Sequence, residues 1–468
     1  MRRSLPLVLI LAALKLNAQN SPDSSAVLQQ ILNRLDTLEK QNRELVQEVR
    51  QLRQQIAAEH PTQGAAPPTS TNAVGPSTSA SKPSGASEPS VDERLSVEER
   101  RTAEQAQTKV EAANKFPIQL NGMLLFNAFI NSGTSANIDT DDDYGFITGP
   151  GKSGATLRQT ILGLQFQGPR LPGDGRINGS VSMDFWGGSS DPQFNWLRLR
   201  RADISLDWKN RSLSFAQDKP LIAPYQPDSL AEVGIPPLAG AGNLWLWLPQ
   251  VRYEERLHFG NASGATGQVA LMQTKETAAS VRPSFSSSLE PSRPALEGRF
   301  AFWHKFDDTR RFEVAPSFHV STTHVAGTSV DSRIGSLDWF IVPWSHLEFS
   351  GTAFQGQNVA SLGALGNGFT VFGNRNVRPV KSAGGWAQLA FPITSRLTFN
   401  LYSGLQSDNG DYIAGPYVVR NLTYASNFMY HLGPNVIVSI EAAQARLRAY
   451  SGANQIQNHY DLAIGYLF

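Results

Sequence analysis

The chain has no cysteine. That excludes disulfides, cysteine-based zinc sites and thiol catalysis. Net charge is nearly absent too: 41 Lys and Arg stand against 40 Asp and Glu in 468 residues, a formal +1. No global field draws the protein to nucleic acid, and no such partner is expected. Long hydrophobic runs are also missing. No stretch reaches the ~18 uninterrupted apolar residues of a membrane-spanning helix, and mean hydropathy is only −0.28. Glycine and aromatic residues are plentiful, with 39 Gly and 24 Phe, as sheets with many turns require.

The first 115 residues read as four segments. Residues 1–18 fit an export signal: Arg2 and Arg3, an apolar run from Leu5 to Leu14, and "LNA" ending at Ala18. The alternative is a membrane anchor, for which the run is too short. Residues 25–57 carry a heptad seam: Leu28, Ile31, Leu35, Leu38, Asn42, Leu45, Val49, Leu52 and Ile56. Asn42 is the single polar seam position, which fixes register at some cost in stability. Arg34 with Glu39 and Glu48 with Arg53 occupy the flanking positions that bridge helices of a parallel coiled coil. The alternative is one amphipathic helix packed on a domain. Residues 58–90 are rich in Pro, Ser, Thr, Gly and Ala and read as a disordered linker. Residues 91–115 read as a short charged helix, with Ser90 or Ser96 as its cap.

Residues 116–468 alternate between apolar and polar in about sixteen segments, each near the ~10 residues of an outer-membrane strand. In "PIQLNGMLLFNAFIN", Ile118, Leu120, Leu124 and Phe126 oppose Gln119, Asn121 and Asn127. Tight turns such as "GPRLPGDGR", "DDTR" and "PITSR" alternate with long segments at 132–154, 219–247, 277–295 and 357–380. Short connections at one end and long ones at the other mark a bacterial outer-membrane barrel. The predicted fold class is an all-β transmembrane barrel of about 16 antiparallel strands, with an N-terminal α-helical coiled coil and a disordered linker. The alternative is a soluble β domain.

The final strand, "YDLAIGYLF", puts Tyr460, Leu462, Ile464, Tyr466 and Phe468 on one face. That face would meet outer-membrane lipid, with His459 and Asp461 inside and Tyr466 and Phe468 in an aromatic girdle. It resembles the C-terminal recognition strand that the barrel-assembly machinery reads. Two strands break phase, at Arg200–Arg201 and near Ala442–Ala443, and each break suggests a β-bulge.

A barrel of this size holds an aqueous channel unless it is plugged. Segment 219–247 is too long for a surface turn and would narrow the lumen, bringing Asp228, Glu232 and Tyr225 into it. The alternative is a loop packed on a neighbouring subunit. Arg198, Arg200, Arg201, Arg252 and Arg256 belong in water, because arginine facing mid-bilayer costs roughly 2–4 kcal/mol. They would favour anions, unless Asp203, Glu254 and Glu255 tie them into wall-stiffening ion pairs. The acidic run Asp139, Asp141, Asp142 and Asp143 lacks the spacing of a calcium loop. His319 and His324 fall on opposite faces of a strand, and no nucleophile–histidine pair can be assembled. No enzyme activity, cofactor or metal is expected.

Together the export signal, the coiled coil, the Pro/Ser linker and the terminal barrel resemble the DcaP-like trimeric outer-membrane porins. "LRQTILGLQFQG" (157–168) is similar to an early porin strand motif, with Thr160 and Ile161 where that motif has Ser and Arg. "RLRRADISL" and the final "YLF" carry the rest. The resemblance implies a homotrimer of sixteen-stranded protomers and uptake of dicarboxylate-like anions past an arginine-lined constriction, with Arg198, Arg200, Arg201, Arg252 and Arg256 as its candidates. The expected function is passive diffusion of small anionic solutes across the outer membrane, with the coiled coil in the periplasm. Contacts between copies are expected through both barrel and coiled coil. The alternatives are a phosphate-selective or non-specific porin, a tether whose coiled coil grips peptidoglycan, and a soluble sugar-binding protein.

Overall fold

The computed structural model describes residues 118–134, 149–187, 195–274, 278–280, 294–325, 327–372, 376–413 and 417–468. The expected export signal, coiled coil with Asn42, linker and charged helix, and the acidic run 139–143, lie outside the described residues.

The first half of the barrel comprises β1 (Ile118–Thr134), β2 (Gly149–Thr156), β3 (Ile161–Leu171), β4 (Gly175–Gly187), β5 (Trp196–Asp207), β6 (Arg211–Asp218), β7 (Leu248–His258) and β8 (Ser263–Met272). After the short β9 (Ala278–Ser280) follow β10 (Ala295–Lys305), β11 (Arg311–Val325), β12 (Thr328–Trp344) and β13 (Leu347–Gln357). β14 (Phe369–Phe372) and β15 (Asn376–Pro379) join β9 in a small separate sheet. β16 (Lys381–Pro392), β17 (Leu397–Asp408), β18 (Val418–His431), β19 (Val436–Ala449) and β20 (Asn454–Leu467) complete the wall.

Every neighbouring pair in the wall is antiparallel, and β20 returns to β1 from Met123–Leu467 to Asn131–His459. The ring has sixteen places for seventeen strand segments, because β2 and β3 share one place beside β1. The expected closed, roughly sixteen-stranded antiparallel barrel is therefore what forms. Closure removes both sheet edges, the condition for a sheet to lie in hydrocarbon. At the closure, Gly122 and Phe468 exchange backbone hydrogen bonds of 3.1 and 3.2 Å, so the terminal phenylalanine completes the ladder.

Alternation sets inside from outside. Leu124, Phe126, Phe300, Phe302, Leu401 and Ile440 are exposed on the outer face, whereas Asn127, Ser317, Asn400 and Asn427 are buried on the inner one. At one end the connections are 172–174, 208–210, 259–262, 306–310, 345–346, 393–396 and 432–435. The first is tight because Gly173 and Asp174 both have positive φ, 74° and 60°, as a type I′ turn needs. The opposite end carries the long segments 219–247 and 358–380, although 326–327 and 450–453 there are short.

Three sequence expectations change. Segment 157–168 is not one strand: residues 157–160 leave the ladder, and Arg158, Gln159 and Thr160 are buried. Thr160 Oγ1 repairs the gap by accepting the Leu125 N–H at 3.1 Å. Near Ala442–Ala443 there is no bulge, because β19 pairs with β20 without a break from Val436–Tyr466 to Arg448–Asn454. The residues invert there, not the backbone: Leu447 packs inward on Leu365 and Val418, while Arg446 and Arg448 stand outside. Glu255, expected with its neighbours in the interior, stands on the outer face with Tyr253, whose hydroxyl donates to it. The bulge at Arg200–Arg201 is present: Ser182 pairs with Arg201 and Met183 with Leu199, leaving Arg200 as the extra residue.

Candidate functional site

Segment 219–247 folds into the lumen and is tied to the wall around most of the ring. Its first turns meet β10 and β12, where Leu221 N–H donates to Glu297 Oε2 at 2.6 Å and Ser336 Oγ donates to Ile222 O at 3.0 Å. Tyr225 OH then donates to Glu313 on β11 at 3.0 Å. Asp228 exchanges two hydrogen bonds with Gln388 on β16, 2.6 and 2.7 Å, and its carbonyl accepts from Asn427 on β18. Ser229 Oγ donates to Glu441 on β19 at 2.6 Å, and Asn127 on β1 donates to Leu230 O at 2.8 Å. Gln159, in the break between β2 and β3, donates to Ala231 O and accepts from the N–H groups of Val233 and Gly234. Arg198 on β5 closes the circuit by donating to Gly234 O.

The sequence permits this because the loop buries apolar residues against the wall while its backbone finds polar wall partners. Leu221, Ile222, Ala223 and Leu244 join Ala270, Met272, Ile334 and Phe354. Leu238 and Ala241 pack on Trp386 and Tyr402. Gly404 on β17 makes room for the loop, since a Cβ there would lie 2.2 Å from Ala241 O.

The arginines gather on the stretch of wall from β4 to β8. The bulge turns Arg198, Arg200 and Arg201 all inward, and register with β6 puts Arg252 and Arg256 on the same face. Arg198 and Arg200 share one carboxylate, Asp184, at 2.6 and 3.3 Å. Both also lie over the Trp247 ring, at 5.3 and 4.7 Å, within cation–π range. Arg201 and Arg252 share Asp218, at 2.6 and 3.8 Å. Arg256 pairs with Glu254 at 2.5 Å. The side chains of Arg201 and Arg256 remain 54% and 37% exposed inside the barrel, whereas that of Arg200 is 9% exposed.

Of the loop candidates, Asp228 is exposed, while Tyr225 and Glu232 are half-buried. Tyr225 packs on Phe340 at 5.7 Å between ring centres, and burial beside Glu313 raises its phenol above the usual range. Tyr460, Leu462, Ile464, Tyr466 and Phe468 are all exposed on the outer face.

Sequence reasoning missed several groups. Arg299 on β10 bridges Asp338 and Glu313, both at 2.7 Å, beneath Tyr225. Glu297 holds His319 at 2.9 Å as well as the start of the loop. Both lie in the inward phase of "EGRF", opposite Phe300, so alternation alone could have found them. Gln159 carried no such signal, because it acts from a break in the ladder. Lys219, at the loop's first position, keeps part of its surface open. Even so, burial, with Arg201 adding to it, brings its ammonium down to about 7, against the opposing pull of Asp218.

No protein-family model matches the chain, and no curated protein sequence matches it. Solved structures do match. The outer membrane channel DcaP of Acinetobacter baumannii aligns with a TM-score of 0.63 at 18% identity, over 76% of this chain and 98% of that one. An anion-selective porin from Comamonas acidovorans aligns with a TM-score of 0.50 at 12% identity, over 76% and 100%. The likeness is one of fold, and at that level the resemblance to DcaP-like porins holds.

Proposed function

We propose that the protein is an outer-membrane porin through which small anions, dicarboxylates among them, diffuse passively. The observation that carries this reading is the sharing of carboxylates on the arginine wall. Two guanidinium groups divide Asp184 and two more divide Asp218, so each cluster keeps a positive excess. Arg201 extends into the opening. A planar guanidinium offers paired donors that match a carboxylate. Charged rings in a narrowed pore select by sign. The inward loop limits solute size, and exposed Asp228 adds one negative group to it. The apolar exterior and closed barrel support a place in the bacterial outer membrane, with the short turns toward the periplasm. The names of both fold relatives, an outer membrane channel and an anion-selective porin, agree with this reading.

Uptake into proteoliposomes of three four-carbon solutes tests it: succinate, neutral erythritol and the dication putrescine. Succinate should enter fastest and putrescine slowest. Equal rates would favour a non-selective porin. Faster putrescine would overturn the selectivity, and exclusion of all three would overturn the channel.

A further inference from the structure

The ladder between β18 and β19 sets Arg420 directly opposite Arg448, and Leu422 opposite Arg446. All three arginines are exposed on the outer face. Like charges placed directly across a ladder repel. Arg446 is oriented by neutral groups, donating to Gln444 at 2.9 Å and to the Tyr424 hydroxyl at 3.0 Å. Gln444 in turn donates to Asn458 at 2.7 Å. Among the described residues, the guanidinium groups of Arg420 and Arg448 have no hydrogen-bond or ion-pair partner. A cationic trio thus stands on the barrel's exterior with no ion-pair partner among the described residues.

Its height is informative. Tyr430 lies at the short-turn end of β18 and Arg420 at the other end. The ~10 residues between them span roughly 25 Å at the usual rise and tilt, the height of a barrel's apolar band. Exposed Phe428 and Ile440 lie within that band. The arginines therefore sit at its upper edge, beside the long-loop end, at the level of lipid headgroups.

We infer that Arg420, Arg446 and Arg448, with Tyr424, Gln444 and Asn458, form a binding site for a phosphorylated glycolipid of the outer leaflet. The guanidinium groups would grip its phosphates bidentately, Gln444 and Asn458 would meet sugar hydroxyls, and the acyl chains would lie along Phe428 and Ile440. The inference rests on the outer-membrane placement proposed above but not on pore selectivity.

Native mass spectrometry of the full chain in non-ionic detergent tests it, with bisphosphorylated lipid A, its dephosphorylated form and phosphatidylcholine as probes. The wild type should prefer the bisphosphorylated form. The triple variant Arg420→Gln/Arg446→Gln/Arg448→Gln should lose that preference about tenfold or more, while its single-channel conductance stays at the wild-type value. Arg448→Gln alone, the milder change, should show a smaller loss and serves if the triple variant does not fold. Equal binding of all three probes, or unchanged binding in the variants, overturns the site. So does full competition by millimolar inorganic phosphate, which would mark a simple anion site. Loss of the oligomer with glycolipid binding intact would reassign this face to contacts between copies and overturn it too. Absence of conductance alongside retained glycolipid binding would count against the porin reading alone.

Discussion

A guanidinium that shares its carboxylate with a second guanidinium is only half neutralised. That is the condition of Arg198 with Arg200 and of Arg201 with Arg252. Lys219 enlarges the excess when it is protonated. Its folded value of about 7 lies well below the ordinary lysine value, so the charge is present at pH 6 and largely gone at pH 8. Anion preference should therefore fall as pH rises through this window, by roughly twofold if the group acts at close range in the opening. Reversal potentials at pH 6 and pH 8 check this. Lys219→Arg should remove the pH dependence, and Lys219→Gln should hold the low preference at both values. A flat wild-type profile would place the ammonium outside the ion path.

At the scale of elements, the loop is set by a few side chains that reach it from distant strands. Gln159 is the most economical, holding Ala231, Val233 and Gly234 from one amide group. Gln159→Ala leaves those backbone groups unpaired in a buried place, at about 1–3 kcal/mol for the site. The loop should loosen, and single-channel recordings should show higher conductance with more open-state noise. Unchanged traces would mean that the remaining anchors suffice. The wall itself was legible in the sequence. A period of two separated Phe126 from Asn127 and Leu401 from Asn400, and "PGDG" and "DDTR" marked the turns between β3 and β4 and between β10 and β11. What the period could not reveal was pairing across the ring. The break at 157–160 looks like strand in the sequence, and its Gln159 serves a loop some seventy positions later. Near Ala442 an inward leucine and outward arginines imitate a bulge, although the ladder there is unbroken. The arginine candidates were readable from burial cost, but their ratio to carboxylates depends on Asp184 and Asp218, which come from neighbouring strands.

For the whole molecule, the barrel and the loop divide the work. The closed sheet gives a rigid wall whose outside tolerates hydrocarbon, and the loop narrows the lumen. One face of that lumen is crowded with apolar packing around Trp386, Ile334 and Phe354. The β4–β8 face keeps Arg201 and Arg256 in contact with the opening. An anion-preferring water path along that face is the central claim. The zero-current potential of the wild-type protein in a planar bilayer, under a tenfold potassium chloride gradient at pH 6, tests it most directly. The predicted sign is the one set by chloride outrunning potassium. A potential of the opposite sign, or a sealed membrane with no current, would contradict it.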